Sequence, residues 1–135
     1  RAEPELVPNF IEEVLRFEGP VTMLFRKTTA EVTLSGVTIP AGALVLPLVA
    51  AANRDPAQFP EPDRFDVRRD TRGQLGFGAG IHFCVGAPLS RLEGRVVFRE
   101  LLRRLPPLSR VEPQPAWTDN TSLRGLRRLP VRFAR

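Results

Sequence analysis

The only cysteine and the only histidine of this 135-residue chain lie two positions apart, as Cys84 and His82. Glycines surround them, with Gly78 and Gly80 before the cysteine and Gly86 after it. Glycine lets a backbone fold tightly and approach a flat ligand closely. Because Cys84 falls where a loop becomes a predicted helix, the helix dipole and the free amides there favour the thiolate, the form that is nucleophilic and binds metals.

Four roles can be considered for such a cysteine from the sequence alone. A lone free cysteine is most often an inert core residue. A structural zinc site is excluded because one cysteine and one histidine cannot supply its four ligands. His82 is a weak candidate for the base of a cysteine nucleophile, since no third residue that would orient it is evident. One thiolate does suffice as an axial ligand to haem iron.

Length and composition limit the class of protein. A chain with 42% hydrophobic and 26% charged residues is typical of one globular domain and not of a disordered or fibrous protein. No apolar run reaches the roughly 18 residues of a membrane span. No secretion signal follows Arg1, so we expect a cytoplasmic protein. One cysteine cannot close an internal disulfide.

The charge of the chain admits several kinds of partner. Its net charge is +5, and every basic residue except Lys27 is an arginine. Arginine recognises carboxylates and phosphates through two parallel hydrogen bonds. Nucleic acid, acidic protein surfaces and carboxylate-bearing cofactors are therefore all admissible partners on charge alone.

Two amphipathic helices are predicted, one on each side of the Cys84 loop. Residues 3–17 have apolar side chains at helical spacing and end at a Gly19-Pro20 pair. Residues 88–105 form the more regular helix, which Pro106 terminates. Its polar face carries arginines, and we expect its apolar stripe to pack against other helices. The stripe consists of Leu89, Leu92, Val96, Val97, Leu101 and Leu105.

Short strands and one long loop complete the prediction. Residues 21–39 are rich in β-branched side chains around a Ser35-Gly36 turn, which predicts hairpins. Residues 123–126 and 130–133 are further candidate strands. Residues 53–80 contain many prolines and glycines and predict one long loop, which its interspersed apolar side chains keep ordered.

Five motifs in order along the chain resemble bacterial cytochromes P450. The motif Phe-Gly-x-Gly-x-His-x-Cys-x-Gly-Ala resembles the haem-binding loop of that family, and Glu-x-x-Arg at residues 13–16 resembles a motif of its K helix. Residues 52–56 and 59–66 resemble the segments between the two, and residues 125–131 resemble its C-terminal strand. The resemblance covers essentially the whole chain, and five motifs at matching spacing are far more specific than one.

The resemblance implies an α+β chain that forms the C-terminal portion of the mainly helical cytochrome P450 fold. Its parts would be the K helix, small β hairpins, the meander loop, the Cys loop, the L helix and a C-terminal β hairpin. Residues 1–135 would be one haem-binding segment, a fragment of a larger domain. The oxygen-activating helix of the family is not in this sequence. An upstream part or a complementing chain would therefore supply it.

The resemblance also implies roles for residues of the Cys84 loop. Cys84 would be the catalytic thiolate and the metal ligand, bound to the iron of haem b on its proximal side. Phe77 would pack near the thiolate and shield it. The loop that contains Gly78 and Gly86 would bring backbone amides to the sulfur and tune its electron donation.

Two further residues match family positions that hold the haem propionates, namely His82 and Arg26. Arg26 lies beside Lys27, so solvated charge on a strand is an alternative interpretation. Ten residues before the cysteine, where relatives often carry another histidine, this chain has Gln74. One propionate contact of the family is therefore not predicted here.

A buried triad of one acid and two arginines fixes the long loop in relatives, and Glu13, Arg16 and Arg64 match it. The alternative is that Glu13 and Arg16, three positions apart on a helix, form an ordinary surface pair. Such a pair stabilises a helix by only about a few tenths of a kcal/mol.

Two surfaces follow from position in the family. Residues 20–25 lie where a strand borders the substrate, so Val21, Met23 and Leu24 are predicted to line a pocket for a small apolar substrate; a plain core role is the alternative. A ferredoxin- or flavodoxin-type electron donor would dock on the proximal side. The basic residues there, whose alternative is a solvated face, are Arg68, Arg69, Arg72 and Arg91.

The implied activity is that of a cytochrome P450 monooxygenase, which inserts one oxygen atom of dioxygen into an apolar substrate with two electrons from a partner protein. We expect the 135-residue chain alone to be inactive. Two other hypotheses stay open, a catalytically inactive truncated haem-binding remnant and a basic nucleic-acid-binding module. No nucleic-acid motif supports the latter, so neither nucleic acid nor a membrane is an expected partner.

Overall fold

Two long helices frame the structure, a computed structural model that describes residues 3–134. A 3-10 turn at Pro4–Leu6 precedes the first helix. The α-helices of the described residues are α1 (Val7–Glu18), α2 (Val49–Ala52) and α3 (Ala87–Arg104). The helices predicted at 3–17 and 88–105 are confirmed, with their ends shifted by a few residues.

The strands of residues 3–134 are short and form four separate two-stranded antiparallel sheets. In these sheets β1 pairs with β4, β2 with β3, β5 with β8 and β6 with β7. The strands are β1 (Arg26–Lys27), β2 (Val32–Leu34), β3 (Val37–Ile39), β4 (Leu44–Val45), β5 (Leu108–Arg110), β6 (Ala116–Trp117), β7 (Leu126–Arg128) and β8 (Val131–Phe133).

Among the strands of the described residues, β2 and β3 form the tightest hairpin, and its turn explains why it could be predicted. Ser35 and Gly36 both have positive φ, 48° and 81°, as a two-residue turn between antiparallel strands requires. The predicted strand at 130–133 is confirmed as β8. The one predicted at 123–126 lies later in the chain, as β7, and Leu123 instead forms an isolated bridge with Val21.

A glycine and a proline end α1 where the sequence predicts. A Cβ atom at Gly19 would clash with the carbonyl oxygen of Leu15, so only glycine allows the chain to leave the helix this closely. Pro20 follows and cannot donate a helical hydrogen bond.

The two long helices pack through a side of α3 that the apolar stripe does not indicate. A Cβ atom at Gly94 would lie 3.1 Å from Cδ1 of Ile11, and the rings of Phe10 and Phe98 meet edge to face with centroids 4.9 Å apart. Within residues 3–134 most of the predicted stripe is uncovered, and only Leu105 at its end is partly buried. Its first four members, Leu89, Leu92, Val96 and Val97, are all exposed.

The long loop at 53–80 is irregular and ordered, as predicted. Phe59 is fully buried, and the buried Asn53 accepts the amide of Leu75 at its Oδ1, 2.7 Å away. Asn9 of α1 donates to the carbonyl of Arg69, 3.1 Å away. No helix among residues 3–134 combines the length and hydropathy that crossing a membrane requires.

Candidate functional site

Cys84 is exposed and lies at the end of a backbone loop that hydrogen bonds close tightly. Its amide donates to the carbonyl of Phe77, 2.9 Å away, and the amide of Phe83 donates to the carbonyl of Gly80, 3.0 Å away. Gly78 and Gly80 have φ of 74° and 63°, a conformation that side chains disfavour. These bonds and glycines fix the position from which the sulfur projects.

The helix α3 begins three residues after Cys84, at Ala87. Its N-cap is Gly86, and the amide of Ala87 donates to the carbonyl of Cys84, 3.1 Å away. A Cβ atom at Gly86 would lie 3.7 Å from the sulfur of Cys84, an ordinary contact. Gly86 therefore lies beside the sulfur, although close packing alone does not require glycine there. Its role toward the cofactor stays a prediction.

The thiol has apolar and exposed neighbours. Ile81 and Val85 are 98% and 99% exposed, and Phe83 is also exposed. An ordered loop would favour burial of Ile81, but Ile81 is not buried. Exposed apolar side chains that lie together in this way mark a surface that a ligand or partner covers.

Phe77 is held in place on both sides. Its ring meets that of Phe83 edge to face at 6.5 Å, and the guanidinium carbon of Arg91 lies 4.7 Å from its centroid. Arg91 in turn forms a bidentate pair with Glu12 of α1. Helix α1 therefore supports the Cys84 loop through α3.

One thiol on a glycine-rich loop with exposed apolar flanks fits a flat, apolar cofactor that takes a single sulfur ligand. Residues 3–134 contain no group of three or more His, Cys, Asp or Glu side chains that could hold a metal ion by themselves. The residues thus fit haem b, in which the porphyrin supplies the other ligands.

The proposed propionate residues lie on separate elements. His82 ends the 3-10 turn Gly80–His82 and is exposed. Arg26 is exposed on β1 and donates to the carbonyl of Phe25, 2.8 Å away. Gln74 is part of an internal network, since it donates to Glu12 over 3.1 Å and accepts the amide of Gly76 over 2.6 Å.

Glu13 and Arg16 form a buried ion pair, which rules out the surface-pair alternative. Arg16 donates to both carboxylate oxygens of Glu13, over 2.7 and 2.9 Å, and neither side chain is exposed. Burial opposes ionisation of Glu13. Hydrogen bonds from Arg16, the Asp66 amide and Arg69 outweigh it and lower the pKa of this carboxyl.

The prediction that Arg64 is the second arginine of this network is wrong. Its side chain is 63% exposed and pairs with Glu61, whereas Nε of Arg69, only 10% exposed, lies 3.3 Å from Oε1 of Glu13. Arg64 contributes its backbone carbonyl, which accepts a hydrogen bond from Arg69 over 3.0 Å. The two arginines occupy one loop five positions apart, and sequence alone does not show which of them turns inward.

The network ties α1 to the long loop. Arg16 donates to the carbonyls of Asn53 and Pro62, over 2.8 and 3.0 Å. Glu13 accepts the amide of Asp66 over 2.9 Å. These bonds hold three points of residues 53–80 against one helix.

The predicted basic docking patch is neutralised in the structure. Each of its four arginines pairs with a carboxylate, and two of these pairs are partly buried or buried. The hydrogen bond from Arg72 holds the pKa of Asp70 at about 2, so this carboxylate stays charged beside the arginine. The pairs are Arg68 with Glu3, Arg69 with Glu13, Arg72 with Asp70 and Arg91 with Glu12.

The predicted substrate-lining residues Val21, Met23 and Leu24 are all partly buried. The backbone of this segment is fixed from two sides, because Val21 bridges Leu123 and the amide of Leu24 donates to the carbonyl of Pro47, 3.0 Å away. Their role in lining a pocket stays a prediction.

Three residues of the site were not predicted from the sequence. Glu12 and Asn53 each hold the loop that leads to Cys84, and Arg69 replaces Arg64. The position of Glu12, one residue before the acid of the Glu-x-x-Arg motif, places it on a different face of α1. Only the placement of α3 reveals its partner.

Comparison with known proteins identifies the family of the chain. The sequence model of the family described as cytochrome P450 matches residues 1–130. The chain is 50% identical over 138 residues to the cytochrome P450 monooxygenase PikC of Streptomyces venezuelae, covering 100% of this chain and 33% of that protein. It is 49% identical over 135 residues to the 6-deoxyerythronolide B hydroxylase of Saccharopolyspora erythraea, covering 98% and 33%.

Solved structures show the same relation. The structure of cytochrome P450 CYP109Q5 from Chondromyces apiculatus matches with a TM-score of 0.94 and 48% identity, over 98% of this chain and 34% of that one. The chain thus spans about a third of the length of the curated relatives that it matches. The cofactor of the family is haem b, which the Cys84 loop fits. The predicted α+β portion of the fold is confirmed, and the chain belongs to the cytochrome P450 family.

Proposed function

We propose that this chain is the proximal, C-terminal segment of a cytochrome P450 monooxygenase, in which the thiolate of Cys84 is the ligand to haem iron. The observation that carries the proposal is the exposed sulfur of Cys84, three residues before α3, on a loop whose backbone is held by hydrogen bonds. An exposed and positioned thiol beside exposed apolar side chains is what a single sulfur ligand to a flat cofactor requires.

The residues of the chain would divide the work. Haem bound to a thiolate supplies the activation of dioxygen that is typical of the family. Cys84 would donate electron density to it, and Phe77, packed between Phe83 and Arg91, would keep water from the sulfur. His82 and Arg26 would bind the propionates. The Glu13–Arg16 pair would hold the loop that leads to the cysteine.

The substrate class is a small or medium apolar molecule. Relatives are named for hydroxylation of 6-deoxyerythronolide B, β-dihydromenaquinone-9 and vitamin D(3). One matched structure holds testosterone, and another is a complex with an acyl carrier protein that carries hexadec-9Z-enoic acid. Val21, Met23 and Leu24 would contact such a substrate. The chemistry shared by these molecules is extensive apolar surface.

Two electrons would come from a ferredoxin- or flavodoxin-type protein. The four arginines that the sequence predicts for its docking are paired with carboxylates. Arg95 and Arg99 of α3 are exposed and form no salt bridge among residues 3–134. They are the better candidates for contact with an acidic donor. The cytoplasmic location predicted from the sequence stays a prediction.

The paired arginines also bear on the alternative hypotheses. A nucleic-acid-binding module needs unpaired basic side chains along one surface, whereas many of the arginines here bind carboxylates of the same chain. A truncated, inactive haem-binding remnant differs from our proposal only in the lack of a distal part.

The experiment that tests the proposed function uses the longer enzyme that contains this segment. It should bind one haem per chain and, with a ferredoxin system and dioxygen, convert an apolar substrate to a product that contains one added oxygen atom. Labelled dioxygen should place its isotope in the product. Haem binding without oxygen incorporation from any apolar substrate in a broad panel would favour the inactive remnant instead.

A further inference from the structure

Arg91 connects α1 to the Cys84 loop. Its Nε lies 2.5 Å from Oε1 of Glu12, and its Nη2 lies 3.0 Å from Oε2 of the same carboxylate. The guanidinium carbon also lies 4.7 Å from the centroid of the Phe77 ring. A planar guanidinium with two parallel hydrogen bonds has little freedom to rotate. Glu12 thus fixes the group that packs on Phe77.

Phe77 transmits this restraint to the cysteine. Its carbonyl accepts the amide of Cys84 over 2.9 Å, and its ring contacts Phe83, the neighbour of Cys84. A displacement of Phe77 would therefore move both the hydrogen bond to the backbone of Cys84 and the apolar packing next to the sulfur.

Glu12 also restrains the entry to the loop. Gln74 donates to its Oε2 over 3.1 Å, and the same Gln74 accepts the amide of Gly76 over 2.6 Å. The hydrogen bond from Arg91 is the main reason that the pKa of Glu12 is lowered, so the carboxylate is ionised at neutral pH. Glu12 therefore restrains the loop at two places. It binds Gln74, which precedes Phe77, and it binds Arg91 of α3, which packs on Phe77.

We propose that Glu12, acting through Arg91 and Gln74, is a positioning residue that sets the environment of the Cys84 sulfur and hence its electron donation to the cofactor. This inference rests on the proposed function of Cys84. It goes beyond stability, because a residue that positions the sulfur changes the electronic properties of the bound iron.

The test compares three variants of the haem-loaded longer enzyme. Arg91→Lys keeps the charge and removes the planar, bidentate pair, so it isolates positioning from charge. Glu12→Gln removes the carboxylate. Glu100→Gln is the matched control, because it removes the same charge from α3. Glu100 pairs with Arg103 and Arg104 at the end of α3 far from Arg91. The readouts are the midpoint reduction potential, the wavelength of the reduced carbon monoxide band and the melting temperature.

We expect Glu12→Gln and Arg91→Lys to shift the potential and the band, and Glu100→Gln to match the wild type. If both variants only melt earlier, the pair is merely structural and the inference is wrong. A shift in Glu12→Gln alone would be a charge effect and would also overturn it. A shift in Arg91→Lys alone would show that Arg91 acts without Glu12, so the proposed role of Glu12 would be wrong. A wild type without a thiolate-type band would instead refute the proposed function itself.

Discussion

Nε of Arg16 lies 2.7 Å from Oε2 of Glu13, and neither side chain is exposed to solvent. The pair is three positions apart on one helix, yet it also connects that helix to the long loop. Its remaining hydrogen bonds go to the backbone of residues 53–80. An ion pair without exposure needs such additional bonds, because burial of two charges is costly.

Replacement of Glu13 by alanine should strongly destabilise the protein and prevent haem incorporation. It would leave Arg16 buried without its carboxylate, and breaking a buried pair costs about 3–5 kcal/mol. Denaturant unfolding and the haem content of the longer enzyme measure the effect. Glu100→Ala breaks an exposed pair and should cost less than about 1 kcal/mol. Equal stability of the two variants would contradict the burial argument.

Arg69 should matter more than Arg64. Arg69→Ala removes a largely buried guanidinium that contacts Glu13 and donates to the backbone of the loop, so it should lower the free energy of unfolding by about 2–4 kcal/mol. Arg64→Ala removes an exposed side chain and should change it by less than about 1 kcal/mol. The opposite order in denaturant unfolding would restore Arg64 as the second arginine of the network.

The Glu12–Arg91 pair predicts a specific dependence of stability on pH. The hydrogen bond from Arg91 lowers the pKa of Glu12 below its usual 4.5. A carboxyl with a lowered pKa contributes stability above its unfolded pKa and loses it as the pH falls through the folded value. The stability difference between the wild type and Glu12→Gln, on the order of 1 kcal/mol at pH 7, should therefore decline as the pH falls below 4.5 and through the lower folded pKa of Glu12. A difference that stays constant down to pH 3 would show that Glu12 is not ionised in this pair.

The 135-residue chain alone should not hydroxylate apolar substrates. Oxygen chemistry requires a closed pocket that excludes bulk water, whereas the apolar residues beside Cys84 and the stripe of α3 are exposed in residues 3–134. The purified chain, supplied with haem, a ferredoxin system and a substrate panel, should give peroxide or no turnover. Coupled product formation well above the rate of free haem would overturn this expectation.

Much of the local structure could be predicted from the sequence, because local chemistry determines it. Gly19-Pro20 ends α1, because Gly19 has no Cβ to clash with Leu15 and Pro20 has no N–H to donate. Ser35-Gly36 forms the hairpin turn through positive φ angles. The motif around Cys84 likewise placed the cysteine where a loop leads into a helix, whereas the exposure of Cys84 was not predicted. By contrast, β5 and β6 have three and two residues, too few for a periodic pattern.

Tertiary contacts were harder to predict. The apolar stripe of α3 does not face α1, because contact with α1 uses the small Gly94 and the aromatic Phe98 instead. The choice between Arg64 and Arg69 depends on how an irregular loop turns, which no spacing rule gives. The sequence did not show that the arginines of the predicted docking patch are paired with carboxylates. For Arg68, Arg69 and Arg91, the partner carboxylates lie at least 56 positions away in the sequence.

The central claim is that Cys84 is the thiolate ligand of the cofactor. The spectrum of the reduced longer enzyme with carbon monoxide tests it most directly, in the wild type, Cys84→Ala and His82→Ala. We predict the red-shifted Soret band of a thiolate-ligated haem in the wild type and in His82→Ala, and its complete loss in Cys84→Ala. An unchanged band in Cys84→Ala would contradict the account, because the thiolate ligand would then have to come from another residue.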